Sequence, residues 1–399
     1  MALALGVGIG VPFGGLVVSN AVLLLSTAGP YGAVMDYTDA SIAIADSTGA
    51  LNYQSKGDVS NGLLIGPAAK QTYAAPSPKM LEQADGFQRY GAHNIYLNNT
   101  APANQSVTVL SGAAYKIRVT GTVSITLSGA ATGTVTTGNP ISFTASTALL
   151  TCGSTSGAGK VYLYRTPCNE DDVDTAGTAI YALPYRWSGG VLKGIENEPQ
   201  ATNLAYPSST FASGFGASNL IVAAASVALS NGLTGGGTLT DTIGNAVHFS
   251  YPLSLAGGLT TVTDHAISVS VKAGTARYLV LSLQGAAGNF ASAVFDTLNA
   301  SAISASQTGV GATSGTVQST KQENRADGWV TCTLVAQCTG SSTPCFGLAP
   351  AATGNTFATS GFVVYAGTPS TMYIEHVQVE VGLASTSRIT TYGAAVVRA

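Results

Sequence analysis

Between Val107 and Leu127 the chain alternates. Val107, Val109, Tyr115, Ile117, Val119, Val123, Ile125 and Leu127 take odd positions, and Thr108, Lys116, Arg118, Thr120, Thr122, Ser124 and Thr126 fall between them. A period of two means strands with one face turned to a core. Gly112 and Gly121 interrupt the run where turns are needed. ISFTA (141–145), after the breaker Asn139-Pro140, and VYLYR (161–165) continue the pattern. Residues 85–170 are therefore predicted to form a small antiparallel sandwich. No amphipathic helical pattern exceeds two turns, which argues against long parallel βαβ units.

A second β region runs over 201–399. Its strand candidates are HFSYPL (248–253), ISVSVKAG (267–274), YLVLSL (278–283), WVTCTLVA (329–336), GFVVYAG (361–367) and MYIEHVQVEV (372–381). That spacing of strands and turns predicts a jelly-roll-type double sheet. Composition agrees: 9 % of residues are charged, against roughly 25 % in ordinary domains. Long helices and coiled coils need more Glu, Lys and Arg than this. The net charge of −3, with no Lys/Arg run, argues against a nucleic-acid partner. The expected fold class is all-β: two antiparallel, jelly-roll-like β-sandwich domains behind an extended N-terminal segment.

Residues 1–35 carry no charge, and MALALGVGIGVPFGGLVV is apolar for 18 residues. Gly6, Gly8, Gly10, Pro12, Gly14 and Gly15 oppose a helix, so no membrane insertion is expected. A secretory signal has a basic start, and the first lysine here is Lys56. Two readings of 1–35 stand side by side: a docking segment lying along another protein, or a tail packed on its own domain. Residues 36–84 read as a small β/loop region with a hairpin around Ser47-Thr48-Gly49. Residues 171–200 read as a linker and lead-in strand. NEDDVDTAG (169–177) is the densest charge cluster and reads as a solvated turn between domains. Glu170, Asp171, Asp172 and Asp174 offer oxygens that suit calcium, but the glycine and distal glutamate of an EF-hand loop are missing. LLIGPAAKQTYAAPSP (63–78) and LKGIENEPQATNLAYPSSTF (192–211) share a weak rhythm, as lead-ins to two sandwiches would.

No catalytic constellation emerges. His93, His248, His265 and His376 show no metal spacing, and Asp264-His265 lacks a nucleophile turn. GSTSGAGKV (153–161) fails as a phosphate loop at Ser154 and Val161. A glycosidase needs two carboxylates about 5–10 Å apart; Asp327 with Glu375 or Glu380 is the pair to check. No catalytic residue, metal or cofactor is assigned, and the chain is read as a non-enzyme. Gln378 and Glu380 alternate with Val377, Val379 and Val381, so they share the opposite face of their strand. On an outer concave face, Tyr373, Glu375, Gln378 and Glu380 are candidate ligand contacts; on an inner face they are a satisfied structural set. Trp329, which opens a strand after an Asp-Gly turn, reads as core. Of the five cysteines, Cys152 with Cys168 is a candidate bridge between two strands of the first sandwich, and Cys338 with Cys345 a candidate hairpin closure; reduced thiols are the alternative.

LKGIENEPQATNLAYPSSTFASGFGASN (192–219) resembles a lead-in of tailed-bacteriophage virion proteins, in which Thr-Asn-Leu precedes a concanavalin-A-like lectin β-sandwich. VSVKAGTARYLVLSL (269–283), VFDTLNAS (294–301) and ENRADGWVTCTL (323–334) follow in that family's order. The close is similar too: Gln378-x-Glu380-x-Gly382, a Ser/Thr stretch and a Gly-Ala-Ala-Val-x-Arg end. Residues 90–167 resemble a shorter module found with it. The resemblance implies a structural component of a bacteriophage particle, a fibre or decoration protein. It would assemble in the host cytoplasm, dock by its N-terminus to other virion proteins of capsid or tail, and form a homo-oligomer, with a trimer expected. The alternative is a carbohydrate-binding module that recognises a host-surface glycan. A polysaccharide depolymerase ranks behind both, and a cellular adhesin would need an export signal, which residues 1–35 are not expected to supply.

Overall fold

The computed structural model describes residues 78–398, apart from short interruptions between strands. Ahead of these it describes the strands Ala33–Asp36, Ser41–Ala45, Leu51–Gln54, Leu63–Ile65 and Ala69–Gln71. The segment 1–32 lies outside the described residues. The hairpin around Ser47-Thr48-Gly49 is present as the antiparallel pair Ser41–Ala45 and Leu51–Gln54, with its turn also outside them. The fold is β: among the described residues the only helical turn is the 3-10 turn Ala326–Gly328. The chain divides into two compact units, one within 1–197 and one of 198–399 with 86–88.

The first unit is a sandwich of three strands on four. The strands of the sandwich and of its closing pair are β1 (His93–Asn94), β2 (Gln105–Thr108), β3 (Ala114–Val119), β4 (Ser124–Gly129), β5 (Gly133–Val135), β6 (Ile141–Thr144), β7 (Leu149–Thr155), β8 (Val161–Arg165) and β9 (Ile180–Tyr181). The sheets run β6-β3-β8 and β5-β4-β7-β2. All eight odd-position residues from Val107 to Leu127 are buried. Val135, Leu150, Cys152 and Leu163 complete the core. Burying a side chain of this size contributes about 2 kcal/mol, so the alternation supplies much of the folding free energy.

The charge cluster at 169–177 is solvated, as expected, but over 169–175 it is not a turn. It runs extended across the first unit and is held by alternate residues: Lys116 pairs with Glu170 (2.7 Å), Arg118 with Asp172, and Lys160 with Asp174 (2.7 Å). Val173 and Thr175 are buried between them. Glu170, Asp172 and Asp174 each take their own cation, and among the described residues no three His, Cys, Asp or Glu side chains are placed to hold a metal ion.

The second unit stacks two six-stranded antiparallel sheets. Its strands are β10 (Ala201–Asn203), β11 (Phe215–Ser218), β12 (Leu220–Ala228), β13 (Thr234–Asp241), β14 (Gly244–Val247), β15 (Phe249–Pro252), β16 (His265–Ala273), β17 (Tyr278–Gln284), β18 (Phe290–Asp296), β19 (Ile303–Gln307), β20 (Thr316–Asn324), β21 (Trp329–Gln337), β22 (Thr343–Ala349), β23 (Val364–Gly367), β24 (Thr371–Val381) and β25 (Val396–Arg398). One sheet is β11-β15-β22-β17-β18-β19 and the other β12-β13-β24-β16-β21-β20. Leu279, Leu281, Phe295, Phe346 and Leu348 from the first share a core with Ile267, Val269, Leu334, Ile374 and Val379 from the second. Trp329 is fully buried and donates its indole N–H to the Ala228 carbonyl (2.8 Å).

Both units close in the same way. The Asn94 side chain accepts from the Tyr96 and Leu163 amides (3.1 and 3.0 Å) and donates to the Val161 and Val173 carbonyls (both 3.0 Å). The Asn203 side chain accepts from the Ala205 and Val379 amides (3.1 and 3.0 Å) and donates to the Val377 and Ile389 carbonyls (3.3 and 2.9 Å). Thr175 hydroxyl donates to the Tyr96 carbonyl, and Thr391 hydroxyl to that of Ala205. Asn94 then pairs with Ile180, and Asn203 with Val396. Each unit thus ties its lead-in, its last long strand and its exit segment through one asparagine. The matching sequences are Ala92-x-Asn94-Ile95 with Ala201-x-Asn203-Leu204, and Val173-x-Thr175-x-Gly177 with Ile389-x-Thr391-x-Gly393. The second lead-in, at 201–208, thus finds its structural counterpart at 92–99 of the first unit rather than at 63–78.

Candidate functional site

Strand β24 carries the residues that the sequence singles out. Its inner face gives Met372, Ile374, Val377 and Val379 to the core. Glu375, Gln378 and Glu380 are buried as well, and Tyr373 is half-buried. The exit segment lies over this row. Glu380 accepts from Gln378 Nε2 (2.8 Å), Ser385 Oγ (3.1 Å), the Thr386 amide (2.8 Å) and the Thr386 hydroxyl. Gln378 Oε1 accepts from the Ile389 amide (2.7 Å). Glu375 accepts from the Ser230 amide (2.8 Å) and hydroxyl and forms an ion pair with Arg388 (3.3 Å). His376 is buried beside Arg388; burial and that charge hold its imidazole well below the usual range, so it is neutral. Glu375, Gln378 and Glu380 therefore brace the exit segment, with their polar atoms turned to the chain rather than to solvent. Asp327 sits on an exposed turn opposite Lys272 (3.5 Å), while Glu375 and Glu380 are enclosed, so no pair among them opens to a substrate.

The thiols are unbridged. All five cysteines are free. Cys152 lies in the four-stranded sheet opposite Leu127, whereas Cys168 follows the three-stranded sheet and bridges to Tyr90. Burial pushes both thiols up to about 12, which removes thiolate reactivity. Cys338 belongs to the inner core and Cys345 to an outer apolar cluster, so they do not close a hairpin.

The other sheet carries aromatic residues on its outer side. On the β11-to-β19 sheet the residues opposite the inner core form a second apolar cluster: Val280, Val294, Cys345 and Ala349 with half-buried Phe249, Tyr251 and Tyr278. Phe362 and Val363 pack onto part of it, Phe362 stacking on Phe249 at 4.8 Å. Tyr251 lies beside this cover, 6.2 Å from Phe249. It faces Gly216 across the β11–β15 pair. A Cβ at Gly216 would fall 2.6 Å from the Tyr251 ring, so the glycine lets the ring lie against the strand. Tyr278, two residues from Val280 on the same face, carries the Arg277 guanidinium 5.3 Å from its ring centroid. Arg277 holds Asp296 with two hydrogen bonds (2.7 and 2.6 Å) and lowers its carboxyl below the ordinary range.

One edge of this cluster is fixed by buried Asp241 and His248 with half-buried Tyr365. Asp241 meets His248 Nδ1 at 2.6 Å and accepts from the Tyr365 hydroxyl at 2.9 Å. Burial and the Asp241 charge raise the Tyr365 hydroxyl well above its ordinary range, so it stays protonated and donates. These contacts fasten the β14–β23 pair to the ends of β13 and β15. A side chain at Gly367 would reach His248 Cε1 at 2.5 Å. HFSYPL is legible as a strand, but the setting of Phe249 and Tyr251 is not, because Gly216 and Phe362 are remote in the chain.

No protein-family model matches the chain, and no curated protein matches it. Among solved structures it is similar to the N-terminal CBM22-1–CBM22-2 tandem domain of Paenibacillus barcinonensis Xyn10C, at 11% identity over 79% of this chain and 90% of that one, with a TM-score of 0.28. It is also similar to a structure described as showing the promiscuous specificity of carbohydrate-binding modules of the β-sandwich superfamily, at 9% identity over 70% and 98%, with a TM-score of 0.22. At these scores the likeness carries no functional argument.

Proposed function

We propose that the chain is a non-catalytic carbohydrate-binding protein, and that the second unit holds a sugar on the aromatic outer face of the β11-to-β19 sheet. The observation that carries this reading is Tyr251, half-buried and laid against Gly216, with Phe249 and Tyr278 on the same face. Aromatic rings combine a broad apolar body with a polar tip. The C–H face of a pyranose stacks on such a ring, while its hydroxyls reach the tyrosine hydroxyls. The buried carboxylates of β24 take no part. The setting we propose is a bacteriophage particle, where the module would display its platform to a host-surface glycan. This setting rests on the sequence resemblance alone.

The test is glycan-array binding of the full chain, followed by titration of a hit. Tyr251→Ala should weaken binding about tenfold or more, and Glu380→Gln, if folded, should not alter contact with the sugar. Absence of binding to glycans from any plausible host, or full affinity in a folded Tyr251→Ala protein, overturns the reading.

A further inference from the structure

The two flanks of the second unit differ in how their strand edges are guarded. On one flank β20 edges its sheet, with Lys321 and Glu323 along it. Charged side chains on an edge hinder pairing with another sheet. On the other flank β11 edges one sheet and β12 edges the other, and they are consecutive in the chain. Asn219, at φ +50°, makes the step between them. That flank, FGASNLIVAAASVA, has no charge, and no charged residue occurs anywhere between Glu198 and Asp241. β12 has nine residues, no proline, and Ile221 55% exposed on its outer side. Its pairing with β13 is regular from Leu220 to Ala224, and a bulge follows before Val227. Among the described residues the outer edge of the stretch before the bulge pairs with no strand.

We infer that the Leu220–Ala224 edge is an interface with a second copy of this chain, the two β12 strands pairing antiparallel about a two-fold axis near Val222. Antiparallel strand edges are self-complementary, since each offers the same row of donors and acceptors. The flank carries no charge, so two copies meet there without repulsion while the chain's net charge lies elsewhere. Pairing about Val222 sets Ile221 of one copy beside Ala223 of the other. Such an edge-to-edge contact closes at two copies, in contrast to the trimer expected from the sequence. This inference is independent of sugar binding.

The experiment is sedimentation of the full chain at micromolar concentration, with thermal melting as a folding control. The wild-type protein should sediment as a dimer. Ile221→Lys with Ala223→Lys should halve the mass, as should Ile221→Glu with Ala223→Glu, and mixing the two variants should restore the dimer. Ile221→Lys alone, at an exposed position, keeps the test valid if a double variant fails to fold. A monomeric wild type, a dimer that survives every substitution, or a dimer lost only when residues 1–32 are removed overturns the proposal.

Discussion

The two units share a closure and differ in what it covers. In the first, the exit segment is acidic and the sheet beneath it is cationic and aromatic. Lys116 and Arg118 meet Glu170 and Asp172, and the Arg118 guanidinium lies 4.2 Å from the Tyr162 ring centroid. Burial alone would raise the Glu170 carboxyl, but the hydrogen bonds from Lys116 and the charges of Lys116 and Arg118 outweigh it and lower it. In the second, the acids are on the sheet: Glu375 and Glu380 are enclosed, and the exit segment brings Thr386, Ser387 and Arg388 to them or near them. The asparagine bracket is the constant element. It uses backbone groups on both sides, so it fixes the path of the exit segment and leaves the side chains beneath free to vary. The difference lies in exposure. The ion pairs of the first unit are partly solvated and worth little each, whereas the carboxylates of the second are costly to leave unpaired.

Asn94→Ala and Asn203→Ala test the constant element. Each substitution strands four buried or half-buried backbone groups, and unsatisfied groups cost about 1–3 kcal/mol apiece before relaxation. Each should destabilise its own unit by about 4 kcal/mol, read as lost hydrogen-exchange protection in 161–175 for Asn94 and in 377–391 for Asn203. A large loss at one asparagine and a small one at the other would break the equivalence.

Acid should separate the units next. His93 stands directly before Asn94; Thr202 holds that place before Asn203. His93 Nε2 accepts from the Arg165 amide (2.9 Å), so its proton sits on Nδ1 and is donated to the Gly91 carbonyl (2.8 Å). Burial, aided by the Arg165 charge, lowers it from 6.5 to about 4. The unfolded chain therefore takes up the proton first. The stability from neutral His93 is complete above pH 6.5 and is lost as the pH falls through about 4, a loss of about 3 kcal/mol. His376 shifts in the same direction in the second unit, so the discriminating measurement is the variant. His93→Gln should flatten the acid decline of first-unit protection between pH 7 and pH 4 and leave that of the second unchanged. An equal decline in wild type and variant would remove His93 from the account.

Much of this architecture could be read from the chain, and the gaps have local causes. The run from Val107 to Leu127 was legible because every second residue is large and apolar. LIVAAASVA and TGGGTLTD, which became β12 and β13, were not, because alanine and glycine carry little periodic signal. TVQSTKQEN, an edge strand, was polar on both sides. The anchoring of the cluster at 169–177 was not legible, because Lys116 and Arg118 lie more than 50 positions upstream. The shared face of Gln378 and Glu380 was legible from their alternation with valines. Their enclosure was not, since it comes from residues 385–389 folding back, a tertiary event that periodicity does not encode. The same holds for Tyr251, whose setting depends on a glycine on the neighbouring strand.

The smallest expected effect concerns salt. The Lys116–Glu170, Arg118–Asp172 and Lys160–Asp174 pairs all have partly exposed side chains, and such pairs contribute less than about 1 kcal/mol each. Raising ionic strength from about 0.1 M to about 1 M shortens the screening length from about 10 Å to about 3 Å. The first exit segment should then exchange its amide hydrogens faster at 170–174. The second should change less, because Glu380 is held by neutral donors and the Glu375–Arg388 pair is shielded from ions by burial. Asp174→Asn, which removes the most exposed pair, should reproduce part of the salt effect and lessen what remains of it. Equal salt sensitivity in the two exit segments would mean that the bracket carries the whole attachment and that the ionic ladder decorates it.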